Sequence, residues 1–488
     1  MVNFRKNQRN TLWSIGNTIV MPTIMLIVTP FFINKLGIEQ YGIWAFITSI
    51  TSAFSILNLG GGEATIKFVS KYIGSGSRDD VYRVISTTLL LNVILAITSA
   101  FIGIALSFII GEGHLQNISD INKQNSTVAF RYSIGIFSLK LIEQIYVSVY
   151  KGFQRYDSAT KLNLLTKIIV TVLQVIVVAS GGSLNEIFKF SFYLVAVTIG
   201  LEHLFLVKYL KGFKLQIANF RQSVREVFSF GLWAWIYSVL GLLSSQLDKV
   251  IIGLYVGAVE LGYYSVAIIV YNQIHTLMSS SVSWIFPVIS KRNKIDKELV
   301  RKYFSFQIRV IALGTVFILF VFIFRGEIFK LWLGEQTYMN SIGFIVIILC
   351  VNLLNLPSIV PYFFLNGGGY IKLNTLLKVS IIIVDVIGVY FGYQIGGTIG
   401  ILLSKLISPI LIGGINRTYI HHKILKYKAL LSGFYLNGIT YLLCSVFLVI
   451  AGGLKSNLGS IGVILFIIFG IFIIPTLFFL KREVRINF

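Results

Sequence analysis

Charged residues are scarce in this chain. Asp, Glu, Lys and Arg make up 12% of its 488 residues, whereas a soluble domain contains roughly 25%. Hydrophobic residues make up 56% of the sequence, and the mean hydropathy is +0.82. This composition excludes a soluble globular protein and indicates that most of the chain lies in lipid.

Cysteines and recognisable catalytic motifs are scarce as well. The two cysteines, Cys350 and Cys444, both fall inside apolar runs, so the sequence offers neither a disulfide framework nor the spacing of zinc ligands. It contains no Gly-Lys-Ser/Thr phosphate-binding loop, which argues against ATP hydrolysis, and no visible catalytic triad. We therefore predict a protein that is not an enzyme and that has no metal ligands and no organic cofactor.

Acidic residues are also few, since 19 Asp and Glu face 42 Lys and Arg, which gives a net charge of +23. One continuous basic patch would suggest nucleic acid as a partner. Here the basic residues lie instead in short clusters between apolar runs, as expected of loops beside a membrane, so we predict no nucleic acid. The basic N-terminus leads into an apolar run long enough to span, which we interpret as a first membrane helix rather than a removed signal peptide.

Fourteen apolar runs are long enough to cross a membrane as helices, which requires ~20 residues. They are approximately residues 12–36, 41–68, 84–111, 129–150, 161–181, 186–208, 227–256, 261–290, 303–325, 341–365, 371–393, 397–417, 429–452 and 459–480. With both termini in the cytoplasm, inner segments hold 29 Lys and Arg, outer loops hold 7, and 6 lie within spans. This asymmetry follows the positive-inside rule and supports a multi-pass protein with cytoplasmic termini.

The chain repeats itself across its two halves. At an offset of 220 residues, without a gap, Trp13 matches Trp233, Gly37 matches Gly257, and Gly42 matches Gly262. At an offset of 211, KLNLLTK (161–167) matches KLNTLLK (372–378). Membrane proteins built from two similar halves usually place a substrate path between them, so the repeat predicts a transporter.

The repeat also predicts the domain plan of an all-α polytopic membrane protein with about 14 transmembrane helices. Residues 1–210 form an N-terminal six-helix lobe, 211–226 a cytoplasmic linker, and 227–418 a C-terminal six-helix lobe. Residues 419–488 remain as an additional helical hairpin and tail.

Residues 29–72 carry a resemblance to a known family. Thr29-Pro30 precedes Leu36-Gly37, then Tyr41-Gly42-Ile43-Trp44, and Asn58-Leu59-Gly60 leads to a basic inner end. With the repeat and the span count, this resembles the Wzx-type polysaccharide flippases of the MOP superfamily, which also holds MATE exporters and the lipid II flippase MurJ. Many of these relatives have an acidic residue where this chain has Asn58; Glu63 would substitute only if it faces the same cavity.

The resemblance implies two lobes around a central cavity that opens alternately to each side of the bacterial cytoplasmic (inner) membrane. It implies a substrate of undecaprenyl-pyrophosphate carrying a short oligosaccharide, as in O-antigen, lipopolysaccharide or capsule synthesis. Membrane lipids, a polysaccharide polymerase and chain-length proteins are the partners that it implies.

Basic residues inside the spans are candidates for contacting the pyrophosphate, because an embedded charge is costly and suggests function. Lys140 and Lys405 lie deepest, and we predict both as phosphate-facing cations. The alternative for Lys140 is a local ion pair with Glu143, three residues on and on the same helix face.

The equivalent lysines of the repeat, Lys167 and Lys378, suggest a two-sided clamp for the substrate, and Arg309 is a further candidate. Each lies nearer a helix end than Lys140 does. Snorkelling of these side chains to the cytoplasmic surface is therefore an equal alternative.

Acidic residues inside the spans are candidates for binding a coupling ion, sodium or proton. We predict Asp385 first and Asp248 second, followed by Glu63 and Glu143. Glu202 and His203 could form a titrating pair, although an interhelical structural contact explains them equally well.

Two other functions fit parts of the sequence. A MATE-like drug antiporter would share the fold, but cationic drugs favour anionic walls and this chain has a surplus of embedded basic residues. A membrane polysaccharide polymerase or ligase would share the hydropathy, but no outer loop here is long enough for its catalytic residues, and the repeat would have no explanation.

Overall fold

The computed structural model describes residues 20, 23–109, 120–210, 213, 215–216, 220–282, 285, 289, 297–426 and 438–452. All regular structure within these residues is helical, which confirms the all-α prediction. Two compact units divide the chain, residues 1–262 and 263–488. The predicted span at 459–480, together with Trp13, lies outside the described residues.

The first unit contains eight helices and the start of a ninth. Their bounds are α1 (Thr23–Leu36), α2 (Ile38–Ala53), α3 (Gly61–Gly74), α4 (Arg78–Ile109), α5 (Asp120–Gly152), α6 (Tyr156–Ala179), α7 (Leu184–Leu210), α8 (Phe220–Tyr255) and α9 (Ala258–Val282). α8 packs on α2, α3 and α4 and so belongs to this unit by its contacts. The repeat instead places this helix at the start of the C-terminal lobe, and those lobe boundaries stay a prediction.

The second unit contains the rest of α9 and six further helices. They are α10 (Lys297–Ile323), α11 (Arg325–Leu333), α12 (Glu335–Gly367), α13 (Ile371–Ser404), α14 (Ile407–Lys423) and α15 (Gly438–Gly452). α12 is buried along most of its length because α10, α13, α14 and α15 pack around it.

Six of the described helices, α4, α6, α7, α10, α12 and α13, are each long and apolar enough to cross a membrane. A seventh candidate span consists of α2 and α3, which are bent by 42° where they meet. The protein is therefore a multi-pass membrane protein, and the count of fourteen spans stays a prediction.

The core of the first unit lies where α3, α4, α5 and α7 meet. On α5, Leu141, Ile145 and Val149 recur every four residues and are all buried, because positions four apart share a helix face. Ile85 of α4 and Val195 of α7 pack into the same cluster and are fully buried. In lipid, such a core is stabilised by van der Waals packing rather than by removal from water.

The break between α2 and α3 is built by residues 54–60. α2 ends in a 3₁₀ turn, Phe54–Asn58, and Leu59 and Gly60 both adopt left-handed backbone conformations, with φ of 50° and 73°. Glycine accepts this conformation without steric cost. The indole of Trp235 on α8 donates a hydrogen bond to the carbonyl oxygen of Ile56, which supplies a partner to a backbone group that the break releases from the helix.

Prolines in α12 are accommodated in a similar way. Pro361 has no N–H group, so the carbonyl of Pro357, four residues earlier, loses its helical partner. The side-chain amide of Gln307 on α10 donates to this carbonyl at 2.9 Å, and Gln307 itself is fully buried. A specific contact between α10 and α12 thereby satisfies the backbone group that the proline leaves without a helical partner.

The sequence predicts two spans, 371–393 and 397–417, where the structure has α13 and α14. α13 is kinked at Gly396 and Gly397, whose backbone is not helical. The parts of α13 before and after this kink lie in backbone contact. A Cβ on Gly400 would lie 2.0 Å from the carbonyl oxygen of Gly392, so a side chain larger than that of glycine would not fit there. The second part then breaks again at residues 405–406, before α14 begins at Ile407.

Candidate functional site

The first unit brings together a group of charged side chains where α5, α6 and α7 pack, and its two carboxyl groups are buried. Lys140 and Glu143 of α5 form an ion pair, with Lys140 Nζ 2.5 Å from Glu143 Oε2. The Glu143 side chain is only 4% exposed, whereas that of Lys140 is 34% exposed. The ion pair offered above as the alternative for Lys140 is therefore formed, and Lys140 still reaches an accessible surface.

A second carboxyl group lies beside this pair. Glu202 of α7 is buried, and its Oε1 accepts a hydrogen bond from the hydroxyl of Thr166 on α6 at 3.2 Å. Its Oε2 is buried and has no hydrogen-bond partner within the described part of the chain. Glu143 and Lys140 are both close enough to interact electrostatically with Glu202.

Lys167 joins the same group from α6. It lies within electrostatic range of Lys140, Glu143 and Lys151. The structure thus brings together two of the lysines that the sequence predicts as substrate contacts. Two lysines beside two carboxyl groups can bind an anion or exchange protons, depending on which carboxyl group is charged.

His203 extends this group toward α5. Its Nδ1 lies 3.1 Å from the hydroxyl of Tyr146, which is itself buried in the core. His203 therefore pairs with Tyr146, and Glu202 pairs with Thr166. Both residues thus make the interhelical contacts that the sequence analysis gave as one alternative, and their titration stays a prediction.

The broken span formed by α2 and α3 is the second feature of this unit. Asn58 ends the 3₁₀ turn, and its buried Oδ1 has no hydrogen-bond partner among the described residues. Glu63 lies in the first turn of α3 and is exposed. Discontinuous helices commonly form ion and substrate sites in transporters, so this break is a candidate site for the path.

The second unit contains its own charged group. Asp385 of α13 and Lys405, between α13 and α14, both lie within electrostatic range of Tyr271 on α9. The ring of Tyr271 stacks on that of His275 at a centroid distance of 5.6 Å. Lys405 lies at the break after α13, where the backbone forms i to i+3 hydrogen bonds. The sequence predicts Asp385 as an ion-coupling residue and Lys405 as a phosphate-facing cation, but it does not indicate that both lie near Tyr271.

The remaining predicted residues lie outside these two groups. Asp248 of α8 is buried, and its Oδ1 accepts a hydrogen bond from the backbone N–H of Lys249 at 2.9 Å. Lys378 is half-buried on α13, and Arg309 is exposed on α10. Their roles in transport stay predictions.

Arg417 of α14 is a buried cation that the sequence analysis did not single out. It is 2% exposed and donates hydrogen bonds to Ser358 Oγ at 2.8 Å and to the carbonyl oxygen of Pro409 at 3.4 Å. The hydroxyl groups of Tyr303 and Tyr441 lie near it. An arginine at the end of a predicted span is usually exposed. The burial of the Arg417 side chain becomes visible only in the structure, where α14 packs against α12.

The helical architecture of both units matches transporters of known structure. An inward-facing multidrug resistance MATE transporter of the MOP superfamily is 14% identical, with a TM-score of 0.64, and the match covers 84% of this chain and 96% of that one. A variant of the Vibrio cholerae MATE transporter VcmN is 13% identical, with a TM-score of 0.54 and coverage of 87% and 99%. The chain therefore has the fold of MOP-superfamily transporters.

The family assignment follows from the sequence. The family model described as "Polysaccharide biosynthesis protein" matches residues 8–293, which is more than half of the chain. The chain belongs to this family. A Shigella flexneri protein named "Putative O-antigen transporter" is 19% identical over 404 residues, which cover 83% of this chain and 95% of that protein.

Proposed function

We propose that the chain is a flippase that moves undecaprenyl-pyrophosphate-linked oligosaccharide across the cytoplasmic membrane by alternating access. Three findings support this: membership of a polysaccharide biosynthesis family, similarity to a protein named as an O-antigen transporter, and the MOP-superfamily fold. In this proposal the isoprenoid tail stays in lipid while the pyrophosphate and sugars cross through protein.

The observation that carries the proposal is the position of lysines beside buried or half-buried polar groups in both units, in segments that the sequence predicts to span the membrane. Lys140 and Lys167 lie together in the first unit, and Lys405 lies at a helix break in the second. A pyrophosphate requires charge-assisted hydrogen bonds to replace its hydration. Lysines on helices that span the membrane can supply them, whereas exporters of cationic drugs favour acidic walls.

The acidic members of the same groups support coupling to an ion gradient or to the membrane potential. Glu143 and Glu202 lie together in the first unit, and Asp385 and Lys405 each lie within electrostatic range of Tyr271 in the second. In the proposal, binding of a proton or sodium ion to a carboxyl group changes which cation is free to contact the phosphate. Asp248 and Glu63 remain further candidates for this role.

A small-molecule antiporter is the second candidate, because the structure most similar among those described here is a multidrug MATE transporter. Binding to the purified, full-length chain distinguishes the two. A short-chain isoprenoid pyrophosphate oligosaccharide should bind and should be displaced by unlabelled substrate but not by a cationic dye. Displacement by the dye, without binding of the pyrophosphate, would favour the antiporter.

The proposal includes a location and partners. We place the chain in the bacterial cytoplasmic membrane with both termini in the cytoplasm, because the basic residues cluster on the inner side of the predicted fourteen spans. A polysaccharide polymerase and chain-length proteins would act on the product at the outer surface. The glycan then belongs to an O-antigen, capsule or related polysaccharide.

A further inference from the structure

A cavity of about 400 Å³ lies in the first unit, and its lining does not include Lys140, Glu143, Lys167 or Glu202. It is formed by the turn between α3 and α4, the end of α5 and the end of α7. Three tyrosines, one phenylalanine, one serine and one arginine are among the residues that line it: Tyr72, Tyr82, Tyr209, Phe153, Ser77 and Arg78. None of these residues was singled out by the sequence analysis.

The aromatic wall of the cavity is fixed by interactions between helices. The hydroxyl of Tyr82 on α4 donates to the carbonyl oxygen of Leu210, the last residue of α7, at 2.5 Å. The ring of Phe153 packs edge-on against Tyr209 at a centroid distance of 5.4 Å. The cavity is therefore formed by the ends of four helices, α3, α4, α5 and α7, and contacts between them fix its wall.

Basic side chains surround this wall. Lys71 lies over the ring of Tyr72 at 5.1 Å, and Arg155 lies over the ring of Tyr209 at 5.8 Å. The segments around the cavity, residues 67–83, 151–157 and 208–210, hold seven basic and three acidic residues. The surroundings of the cavity are therefore positively charged.

Two of the arginines near the cavity have acidic partners, and a third does not. Asp80 pairs with Arg83 at 2.8 Å, and Asp157 pairs with Arg155 at 3.6 Å. No ion pair is formed by Arg78 within the part of the chain that the structure describes. Arg78 lines the cavity and is exposed, so its guanidinium is available to an anionic ligand.

The position of the cavity restricts the ligand further. It lies at the start of α4 and the end of α7, two helices that are long and apolar enough to cross a membrane. The ends of such helices are expected at the depth of the lipid headgroups. Tyrosine rings suit this depth because one part of the ring system is apolar and the hydroxyl is polar. A volume of this size accommodates a headgroup rather than a whole lipid.

We propose that this cavity binds the phosphate headgroup of an anionic glycerophospholipid in the cytoplasmic leaflet. Arg78 contacts the phosphate, and the rings of Tyr72 and Tyr209 contact the glycerol and the first carbons of the acyl chains. The inference does not depend on the proposed function, because it concerns a site at the membrane surface and not the transport path.

The test is lipid binding to the full-length protein in neutral detergent. Native mass spectrometry counts bound dioctanoyl phosphatidylglycerol, with dioctanoyl phosphatidylcholine and inorganic phosphate as parallel probes. Wild type should retain phosphatidylglycerol in preference to both. Arg78→Gln should bind it about tenfold more weakly, as expected for the loss of one charge-assisted hydrogen bond. Arg301→Gln makes the same change at an exposed arginine of α10 and should bind it like wild type.

The proposal is overturned if phosphatidylcholine binds as well as phosphatidylglycerol, or if Arg78→Gln and Arg301→Gln behave alike. Equal retention of inorganic phosphate would show a simple anion site and would contradict the lipid assignment. Tighter binding of farnesyl pyrophosphate than of phosphatidylglycerol, lost in Arg78→Gln, would replace the phospholipid with an isoprenoid carrier. Arg78 is exposed, so the variant should keep the Tm of wild type without lipid, which verifies its folding.

Discussion

Gly42 and Gly262, which are 220 residues apart, make reciprocal contacts in the first unit. A Cβ on Gly42 would lie 1.7 Å from the carbonyl oxygen of Ala258, and a Cβ on Gly262 would lie 2.6 Å from the carbonyl oxygen of Ile38. Ile38 and Ala258 are themselves 220 residues apart in the sequence. The internal repeat therefore marks a near-symmetric contact between the first turns of α2 and α9.

Gly42→Ala should destabilise the protein, because its added methyl group collides with backbone that no side-chain rotation can move. Overpacking of this kind costs about 1–3 kcal/mol, and the thermal unfolding temperature in detergent should fall accordingly. Gly200→Ala on α7 is the matched control, because nothing lies within 4 Å of its added Cβ. Equal unfolding temperatures of the two variants would contradict the close approach.

Two variants test whether the Lys140–Glu143 ion pair stabilises the protein and whether Lys140 also contacts the transported substrate. Lys140→Met should lower stability by about 1–3 kcal/mol, less than for a fully buried pair because the lysine side chain is 34% exposed. Lys140→Met/Glu143→Gln should recover stability, because no unpaired charge remains buried. Transport should stay low in both variants if Lys140 contacts the phosphate. Recovery of transport in the double variant would assign Lys140 a structural role only.

Glu202→Gln tests the coupling role of the carboxyl group that the structure adds to this cluster. The amide oxygen can still accept the hydrogen bond from Thr166, so folding should be retained, while the titratable group is lost. We expect transport that no longer responds to an imposed pH gradient in vesicles. Glu186→Gln is the control on the same helix, at an exposed carboxylate that only caps Ser183. An unchanged gradient response in Glu202→Gln would remove Glu202 from the coupling mechanism.

Lys405→Gln tests the second unit. Removal of a cation that contacts a phosphate should slow transport about tenfold, the effect of one lost charge-assisted hydrogen bond. Lys372→Gln changes an exposed lysine at the start of α13 and should transport like wild type. Equal rates in the two variants, measured at equal protein content per vesicle, would exclude Lys405 from the substrate path.

Much of the fold follows from hydropathy, because spans in lipid must satisfy their backbone as helices. The predicted span at 186–208 corresponds to α7, Leu184–Leu210. The span at 41–68 contains a break that hydropathy does not show, since the run is apolar enough overall to count as one span and Leu59, at the break, is itself apolar. Two glycines beside the break have different roles. A Cβ on Gly62 would lie 2.8 Å from Gln144, so Gly62 permits close packing, whereas Gly60 adopts the left-handed conformation of the break.

The sequence could predict contacts of the candidate site only where both residues lie on the same helix. Lys140 and Glu143 are three residues apart, and helix periodicity alone places them together. The approach of Glu202 to Glu143 depends on the register of α7 against α5, which one sequence does not encode in any local pattern. The same limit applies to Asp385 and Lys405, whose shared neighbour Tyr271 lies more than 100 residues earlier. The sequence analysis did not single out Arg417. The sequence shows its charge, but its burial depends on which helices pack against α14.

The most direct test of the account is flipping in proteoliposomes that contain the full-length chain. A fluorescent undecaprenyl-pyrophosphate oligosaccharide is incorporated, and a quencher added outside reports its movement between leaflets. The account predicts accelerated loss of fluorescence with wild type, slowed by Lys140→Met and unaffected by Lys372→Gln. Movement no faster than in protein-free vesicles, under proton and sodium gradients and with several glycans, would contradict the proposed function.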